Sequence, residues 1–430
     1  MKFYSTNDQN HLVSLKEAVI KGLAPDQGLY MPENIPRLPG SFFENISQLS
    51  FREIGYEVTR ALFAEDLPEQ QIKELVDHTL EFDAPLVQVE DHVYTLELFH
   101  GPTLAFKDFG ARFCSKLMSL LLGKQQVKVL VATSGDTGSA VANGFYGVEG
   151  VEVVILYPSG KVSELQEKQF TTLGGNVAAL EVEGCFDDCQ KMVKQAFLDP
   201  ELNQQMILTS ANSINIARWI PQSFYYFYAY SRLQKKREKV AFAVPSGNFG
   251  NLAAGILAER MGLPIDKFIA ATNVNKVVPD YLAGGAFEAK PSIQTISNSM
   301  DVGNPSNFYR LLALFGGDES GLKAKVKGFF YSDEQTRSAM KAVKATSGYT
   351  LDPHGAVAYL GLTDFMAQHP DAYEGVFLET AHPGKFQAVV EETLGTKISL
   401  PDRLAAFLKG KKKVDQLPND YGAFKKYLLT

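Results

Sequence analysis

The chain has 430 residues, of which 45% are hydrophobic and 21% are charged, and its formal net charge is −7. This length exceeds the size at which a single hydrophobic core keeps growing, so we expect two or three domains. The composition excludes a disordered chain. The negative charge gives no reason to expect nucleic acid or an anionic membrane as a partner.

The cysteines and the apolar segments narrow the class of protein further. Only three cysteines occur, which excludes a disulfide framework, and their spacing lacks the third and fourth ligands of a zinc site. We therefore expect no metal. No apolar core of signal-peptide length opens the chain, and no segment approaches the roughly 20 apolar residues of a membrane span. These features predict a cytoplasmic protein.

The first section of the chain is predicted to be mostly helical. Ser14 and Glu17 form a capping box, which predicts a helix that ends near Lys21. Between Phe51 and Phe82, apolar residues recur at three- and four-residue spacing, as they do on the buried faces of helices. We therefore place an N-terminal domain at residues 1–92.

After this section, apolar runs that are typical of buried strands alternate with helical patterns. The runs lie at 127–133, 151–157, 177–182, 240–244, 268–272 and 375–380. Continuous apolar strands that alternate with helices predict an α/β fold whose parallel sheets are covered on both faces. Ligands of such folds bind at the carboxyl ends of strands, where two glycine-rich turns occur, at 133–138 and 245–251.

Lys107 lies among apolar neighbours, which include Leu104, Phe106 and Phe109. We therefore expect its amine to be partly desolvated. Desolvation disfavours the ammonium and leaves a neutral amine that can form a Schiff base and move protons. Most lysines are instead solvated at the surface, and the flanking residues alone do not exclude that alternative.

The second glycine turn is predicted to bind a phosphate. Its glycines allow a close approach of the backbone, and the N–H groups around Asn248, Phe249 and Asn251 can point at one anion. The helix that follows adds the positive end of its dipole. A strand-to-helix connection without a ligand is the alternative. Together with Lys107, the turn indicates an enzyme that holds an aldehyde cofactor with a phosphate, which is pyridoxal 5′-phosphate.

Two further polar segments are candidates for binding the substrate. In the first glycine turn, Ser134, Asp136 and Thr137 offer side chains to a carboxylate or to a ring oxygen of the cofactor. Asp136 could equally be a simple helix N-cap. Ser213 and Arg218 could bind the phosphate of a substrate, since a guanidinium grips phosphate bidentately. An N-capped helix with a surface arginine is the alternative, which the pattern alone slightly favours.

The strand at 375–380 ends in a further pair of candidates. Thr380 could cap the helix that follows, or it could hydrogen-bond a pyridine nitrogen. His382 could be a general acid and base, although such a histidine is more often a structural donor.

These segments together resemble the threonine synthase family, within the fold-type II pyridoxal phosphate enzymes. The stretches that carry the resemblance are 28–32, 98–109, 133–138, 212–218, 246–250 and 380–383. The resemblance implies a tryptophan synthase beta-like fold, with two parallel-sheet α/β domains and a mostly helical N-terminal domain. It also implies a large cofactor-binding domain at 93–110 and 205–430 and a small substrate-closing domain at 111–204.

The resemblance further implies roles for single residues. Lys107 would carry the cofactor and then act as acid and base, and Thr380 would face the pyridine nitrogen. The residues implied to hold the cofactor phosphate are Gly247, Asn248, Phe249, Gly250 and Asn251. Those implied to recognise the substrate are Ser134, Thr137, Ser213 and Arg218. The role of Asp136 stays open.

The implied reaction converts O-phospho-L-homoserine and water to L-threonine and phosphate, as a carbon–oxygen lyase acting on a phosphate ester. The partner would be this small molecule, and the protein would be a monomer or a homodimer. A serine/threonine dehydratase or a cysteine synthase would also need Lys107, but it would have no use for a second phosphate site. A non-catalytic phosphometabolite-binding protein would not need Lys107 at all.

Overall fold

The computed structural model of the protein describes residues 1–233 and 237–430. Strands β1 to β14 lie at Lys2–Ser5, Asp8–Ser14, Tyr30–Pro32, Leu86–Glu90, Val93–Glu97, Val127–Ala132, Val151–Pro158, Val177–Val182, Ile207–Ser210, Lys239–Pro245, Lys267–Thr272, Val326–Phe330, Tyr373–Glu379 and Asp415–Leu417.

Helices α1 to α20 lie at Leu15–Lys21, Gly40–Asn45, Phe51–Phe63, Glu69–Thr79, Lys107–Leu122, Asp136–Phe145, Glu164–Thr171, Phe186–Leu198, Pro200–Gln205, Ile216–Trp219, Phe224–Arg232, Gly250–Arg260, Val277–Leu282, Phe308–Leu314, Glu319–Lys325, Asp333–Ser347, Pro353–Ala367, Gln387–Leu394, Asp402–Leu408 and Tyr421–Leu428. Short 3-10 helices lie at Ile46–Gln48, Ile220–Ser223, Asn298–Met300 and Pro383–Phe386.

The chain divides into two compact units, each of which is built from several segments. The first unit holds residues 1–32, 107–218 and 400–430, and the second holds 33–106 and 219–399. These units cut the chain at other positions than the predicted three domains do. The three-domain division therefore stays a prediction.

The first unit contains a five-stranded parallel sheet in the order β14-β8-β7-β6-β9. From β6 the chain proceeds outward through β7 and β8, and β9 then returns to the other side of β6. The turn after β6 therefore lies where the strand order reverses, which is where open α/β sheets bind ligands. A three-stranded antiparallel sheet, β2-β1-β3, also belongs to this unit.

The second unit contains a six-stranded sheet in the order β12-β11-β10-β13-β5-β4, in which only the edge strand β4 is antiparallel. Here β10 has the next strand, β11, on one side and the last, β13, on the other. The turn after β10 is therefore also at a reversal of strand order. Every residue of β13 is buried, as expected of a strand covered on both faces.

The predicted α/β fold with two parallel sheets is confirmed. The six predicted strands occur as β6, β7, β8, β10, β11 and β13, with ends within two residues of the prediction. The predicted helix at 15–21 begins at the Ser14 cap, whose side chain accepts the Glu17 N–H at 3.2 Å. The helical region at 51–82 is two helices, α3 and α4, because the chain turns at Pro68 before α4 begins.

The short strands β1 to β5, β9, β12 and β14 were not predicted from the sequence. Several of them are edge strands with an alternating or exposed pattern, such as β2, so they lack the continuous apolar signal of a central strand. Within the described ranges, no helix has the length and apolar character needed to cross a membrane.

Candidate active site

Lys107 is the first residue of α5 in the first unit, and its side chain is 17% exposed. Its Nζ lies 3.7 Å from Oδ2 of Asp136, which is the first residue of α6 and is 4% exposed. A carboxylate at this distance stabilises an ammonium on Lys107, strongly so where little water screens the pair. The predicted lysine and the aspartate whose role was open are therefore brought together.

Asp136 is held from its other side by Gln166 of α7. Gln166 is fully buried, and its Nε2 donates to Oδ1 of Asp136 at 2.9 Å. Gly135, with φ of 141°, takes the N-cap position that was one interpretation of Asp136. A Cβ on Gly135 would lie 2.6 Å from the Gln166 amide carbon, so the contact requires glycine. The N-cap interpretation of Asp136 is wrong, because Asp136 is already inside the helix.

The other residues of this turn lie beside the segment after β9. Thr133 organises the turn, since its Oγ1 accepts the N–H groups of Gly135 at 2.9 Å and Gly138 at 2.8 Å. Asn212 Nδ2 donates to the carbonyl of Ala132 at 3.3 Å, which joins the ends of β6 and β9. Three of the predicted substrate residues follow these two strands and are half-buried: Ser134, Thr137 and Ser213.

Arg218 is buried, with only 2% of its surface exposed, so the surface-arginine alternative is wrong. Its Nη1 donates to the carbonyl of Ala211, and its Nη2 donates to the carbonyl of Lys107 at 3.5 Å. Burial lowers the pKa of Arg218 to about 10. A Cβ on Gly110 would lie 2.9 Å from Nε of Arg218, so α5 leaves room for the guanidinium only because it has glycine there.

The turn after β10, in the second unit, has the geometry of an anion cradle. Phe249 adopts a left-handed backbone with φ of 61° and is the N-cap of α12. The first N–H groups of a helix have no acceptor within it, so those of α12 are available to an anion. A Cβ on Gly247 would lie 2.5 Å from the carbonyl oxygen of Ser299, so the backbone path requires glycine at this position.

The two asparagines of this turn are used differently. The Asn248 side chain accepts the Ser306 N–H at 2.6 Å through Oδ1, and its carbonyl accepts the Asn307 N–H at 3.3 Å. These bonds fix the shape of the turn.

Asn251 is oriented by two buried tyrosines. Its Oδ1 accepts hydrogen bonds from the hydroxyls of Tyr225 at 2.7 Å and Tyr226 at 2.8 Å. Burial raises the pKa of both tyrosines well above the ordinary value, so the hydroxyls remain protonated donors. The Asn251 Nδ2 is buried and has no hydrogen-bond partner among the described residues. A buried donor of this kind is costly unless a ligand satisfies it.

Thr380 follows β13 directly and is 7% exposed. Its carbonyl accepts the N–H of Phe106, the residue before Lys107, at 2.8 Å. Nearby, Leu104 has a left-handed backbone with φ of 56°, and its carbonyl accepts the His382 N–H at 3.1 Å. A left-handed leucine costs about 1–3 kcal/mol and persists only where the surroundings enforce it.

His382 supports this segment. Its Nδ1 accepts the Gly384 N–H at 3.0 Å at the start of the 3-10 helix Pro383–Phe386, and burial lowers its pKa. This arrangement favours the structural interpretation of His382. Lys385, which the sequence analysis did not select, is 2% exposed and donates to the Thr103 carbonyl at 2.9 Å.

The residues present fit a cofactor with an aldehyde and a phosphate. Lys107 supplies an amine that could bind the aldehyde, and the turn at 246–251 supplies helix N–H groups and the buried Asn251 amide for the phosphate. No group of three or more His, Cys, Asp or Glu that could hold a metal ion occurs in residues 1–233 and 237–430.

Comparisons with known proteins cover the whole chain. Three family models match, described as "Threonine synthase N terminus" at residues 2–80, "Pyridoxal-phosphate dependent enzyme" at 79–377, and "Threonine synthase, C-terminal" at 355–428. The threonine synthase of Haemophilus influenzae is 45% identical over 430 residues, with 100% of both chains covered.

Two solved structures give the same result. The crystal structure of threonine synthase from Escherichia coli is 44% identical, covers 100% of this chain and 99% of that chain, and gives a TM-score of 0.94. The structure of threonine synthase from Brucella melitensis with bound pyridoxal phosphate is 33% identical, covers 100% of this chain and 98% of that chain, and gives a TM-score of 0.92.

Proposed function

Since the chain belongs to the threonine synthase family of pyridoxal phosphate-dependent enzymes, we propose that it converts O-phospho-L-homoserine and water to L-threonine and phosphate. The observation that carries this proposal is the full-length match, in a chain that also has the Lys107 amine and the cradle at 246–251. In the reaction the substrate loses phosphate from Cγ, water oxygen adds at Cβ, and Cγ ends as the methyl group of threonine.

Lys107 is the proposed catalytic residue. When bound, pyridoxal phosphate supplies an electron sink for negative charge at the carbon atoms next to the substrate amino group. The Lys107 amine would hold the aldehyde in the resting enzyme, and the amino group of the substrate would displace it there. The freed Nζ would then take the proton from Cα. The Asp136 carboxylate, 3.7 Å away, then stabilises the ammonium that forms.

We assign the cofactor phosphate to Gly247, Asn248, Phe249, Gly250 and Asn251. The support is the left-handed Phe249, the start of α12 and the buried Asn251 Nδ2 that lacks a partner among the described residues. Oriented N–H groups at a helix start bind an anion without a charged side chain.

Thr380 is assigned to the pyridine nitrogen of the cofactor. It is nearly buried and lies at the end of β13. A hydroxyl does less than a carboxylate to keep this nitrogen protonated, so the cofactor withdraws electrons less strongly. Control of the reaction then depends more on how the substrate is placed.

The substrate is assigned to Ser134, Thr137, Ser213 and Arg218. Half-buried hydroxyls after the adjacent strands β6 and β9 support this assignment for the first three. Arg218 already binds the carbonyls of Ala211 and Lys107, so we expect part of its effect to come through the position of α5.

We also propose a cytoplasmic location and a monomeric or homodimeric state. The three cysteines are free, as is usual where thiols are kept reduced.

The decisive experiment measures inorganic phosphate and threonine in one reaction started with O-phospho-L-homoserine. We expect equal yields of both products, and we expect Lys107→Ala to abolish them. Lys124→Ala, an exposed lysine after α5, is the matched control and should retain activity. Phosphate with a keto acid and no threonine would instead indicate a dehydratase-like elimination.

A further inference from the structure

His354 is a buried imidazole with no part in the proposed reaction. It is the second residue of α17, is 3% exposed, and makes two hydrogen bonds through its ring. Its Nδ1 lies 2.6 Å from Oδ1 of Asp352, and its Nε2 lies 3.2 Å from the backbone nitrogen of Ser299. A residue in such a position either fills space or holds the Ser299 backbone in place.

The partners of the ring determine where its proton lies. The Ser299 N–H can only donate, so Nε2 must be the acceptor and Nδ1 must carry the proton. The Nδ1 proton is donated to Asp352, whose carboxylate also caps α17 by accepting the His354 and Gly355 N–H groups at 2.7 and 3.3 Å. The imidazole is therefore a neutral group of fixed orientation.

The Asp352 backbone N–H donates to Oε1 of Glu379, the residue before Thr380, at 3.2 Å. Burial and the neighbouring Asp352 raise the pKa of Glu379 well above its ordinary value, so Glu379 keeps its proton. Burial opposes ionisation of Asp352, but the neighbouring Glu379 and His354 outweigh it and lower the pKa of Asp352. One negative charge therefore lies on Asp352, where it orients the imidazole.

Ser299 lies directly on the glycine turn. Its carbonyl oxygen is 2.5 Å from the position of a Cβ on Gly247, and Met300 Cα is 2.9 Å from the same position. Further along, Ser306 donates its N–H to Asn248. The backbone at Ser299, Met300 and Ser306 therefore packs directly against the turn. A small shift of this backbone would change the path of the turn.

We propose that His354 is a positioning residue that holds the turn at 246–251 in its phosphate-binding shape through the backbone of Ser299. This inference rests on the proposed phosphate role of that turn. His354 acts as a fixed acceptor at Nε2, and the contact of its Nδ1 with Asp352 keeps that acceptor aimed at Ser299.

The test compares two variants with the parent chain. In His354→Gln the amide oxygen can reach the position of Nε2 and accept the Ser299 N–H. In His354→Asn the shorter amide reaches only the position of Nδ1, so the Asp352 contact is kept and the Ser299 contact is lost. The dissociation constants of pyridoxal phosphate and of pyridoxal, which lacks the phosphate, are measured by titration of each cofactor-free full-length chain.

We expect His354→Asn to raise the dissociation constant of pyridoxal phosphate about tenfold, as for the loss of one hydrogen bond. The dissociation constant of pyridoxal should stay unchanged. His354→Gln should restore the affinity for pyridoxal phosphate. If His354→Asn lowered the affinity for both ligands equally, or for neither, the proposal would be overturned. A parent chain that binds the two ligands equally would refute the phosphate role of the turn and, with it, the basis of the inference.

A second measurement, amide hydrogen exchange in the parent chain, tests the same inference even if a His354 variant does not fold. Inorganic phosphate should slow amide hydrogen exchange across residues 298–300. A phosphate bound at the turn 246–251 makes the turn more rigid, and with it the backbone that packs against the turn. Pyridoxal, used at the same degree of saturation as the phosphate, should have no such effect. Unchanged exchange with bound phosphate would count against His354 and Ser299 as a support of the turn.

Discussion

Asp136 lies at the start of α6, where its carboxylate faces both Lys107 and Gln166. Its type and position at a strand-to-helix turn fit an N-cap and a ligand-binding role equally well, and a carboxylate beside an anion is unfavourable because the two repel each other. The structure places Lys107 3.7 Å from one carboxylate oxygen and Gln166 2.9 Å from the other. The carboxylate is therefore neutralised by the lysine, and its orientation is set by the glutamine.

Replacing Asp136 with asparagine tests this arrangement. Asparagine keeps an acceptor for Gln166 but removes the charge that faces Lys107. We therefore expect kcat to fall by about tenfold, which is less than the roughly hundredfold or more that a whole acid–base group contributes. The measurement is threonine formation at saturating substrate, with thermal unfolding of the same preparation to show that folding is intact.

Glu164→Gln is the control for this substitution, since Glu164 lies on the same helix as Gln166 but its side chain is 71% exposed. It should leave kcat unchanged. An Asp136→Asn enzyme with the parent kcat would show that the carboxylate has no part in the proton transfers at Lys107.

At the scale of the element, one carboxylate helps to hold the end of the chain within the first unit, beside the pairing of β14 with β8 and the ion pair of Lys425 with Glu201 at 2.8 Å. Asp199 is the N-cap of α9, and it also accepts a hydrogen bond from the Tyr421 hydroxyl at 2.7 Å and lies 2.8 Å from Nζ of Lys425. Tyr421 and Lys425 belong to α20. These two bonds hold α20 beside the start of α9 within the first unit, whose parallel sheet also contains β14.

The pKa of Asp199 sets the pH dependence of this attachment. The bonds from Lys425 and Tyr421 lower it from 3.8 to about 2. A carboxylate with a lowered pKa contributes stability above the unfolded-state pKa, and the contribution is lost as the pH falls toward the folded-state value. Asparagine still caps a helix, so Asp199→Asn removes mainly the charge.

We therefore expect Asp199→Asn to lower the denaturant midpoint at pH 7, and we expect its difference from the parent chain to shrink as the pH falls from 3.8 toward 2. Chemical denaturation across this range measures it. Asp415→Asn, at an exposed aspartate of β14, serves as the control and should change nothing. A difference that grows toward acid pH would contradict the sign of the Asp199 shift.

At the scale of the whole molecule, each unit has its own parallel sheet, and each sheet has a glycine turn at its reversal of strand order. The turn after β6 brings Asp136 to 3.7 Å from Lys107, and the turn after β10 has the geometry of an anion cradle. A ligand that binds the folded chain and not the unfolded chain adds to the stability of the fold.

Removal of the cofactor should therefore destabilise the protein. A ligand present at a hundredfold excess over its dissociation constant stabilises the folded state by about 2.7 kcal/mol. We expect thermal unfolding to occur at a lower temperature after dialysis against a carbonyl-trapping amine, and to recover when pyridoxal phosphate is added back. In Lys107→Ala, adding pyridoxal phosphate should raise the unfolding temperature by less than in the parent chain. An unfolding temperature of the parent chain that is the same with and without the cofactor would contradict the proposal.

The sequence by itself determined the features that depend on neighbouring residues. Six central strands, the Ser14 cap of α1 and the two glycine turns follow from apolar runs, a capping pair and glycine, all of which act over a few residues. The same local patterns selected Lys107 and the turn at 246–251, and the resemblance to a family added their roles. Edge strands such as β2 and β14 were missed because they lack a continuous apolar run.

Only the tertiary structure decided the contacts between segments that are distant in the sequence. Gln166 forms a hydrogen bond with Asp136, which lies 30 residues away in the sequence. The hydrogen bond of His354 with Ser299 spans 55 residues, and that of the Arg218 guanidinium with the Lys107 carbonyl spans 111. None of these partners carries a local pattern, because each depends on which strands lie side by side. Strand order is a property of the whole sheet, so it places together residues that no short stretch of sequence can pair.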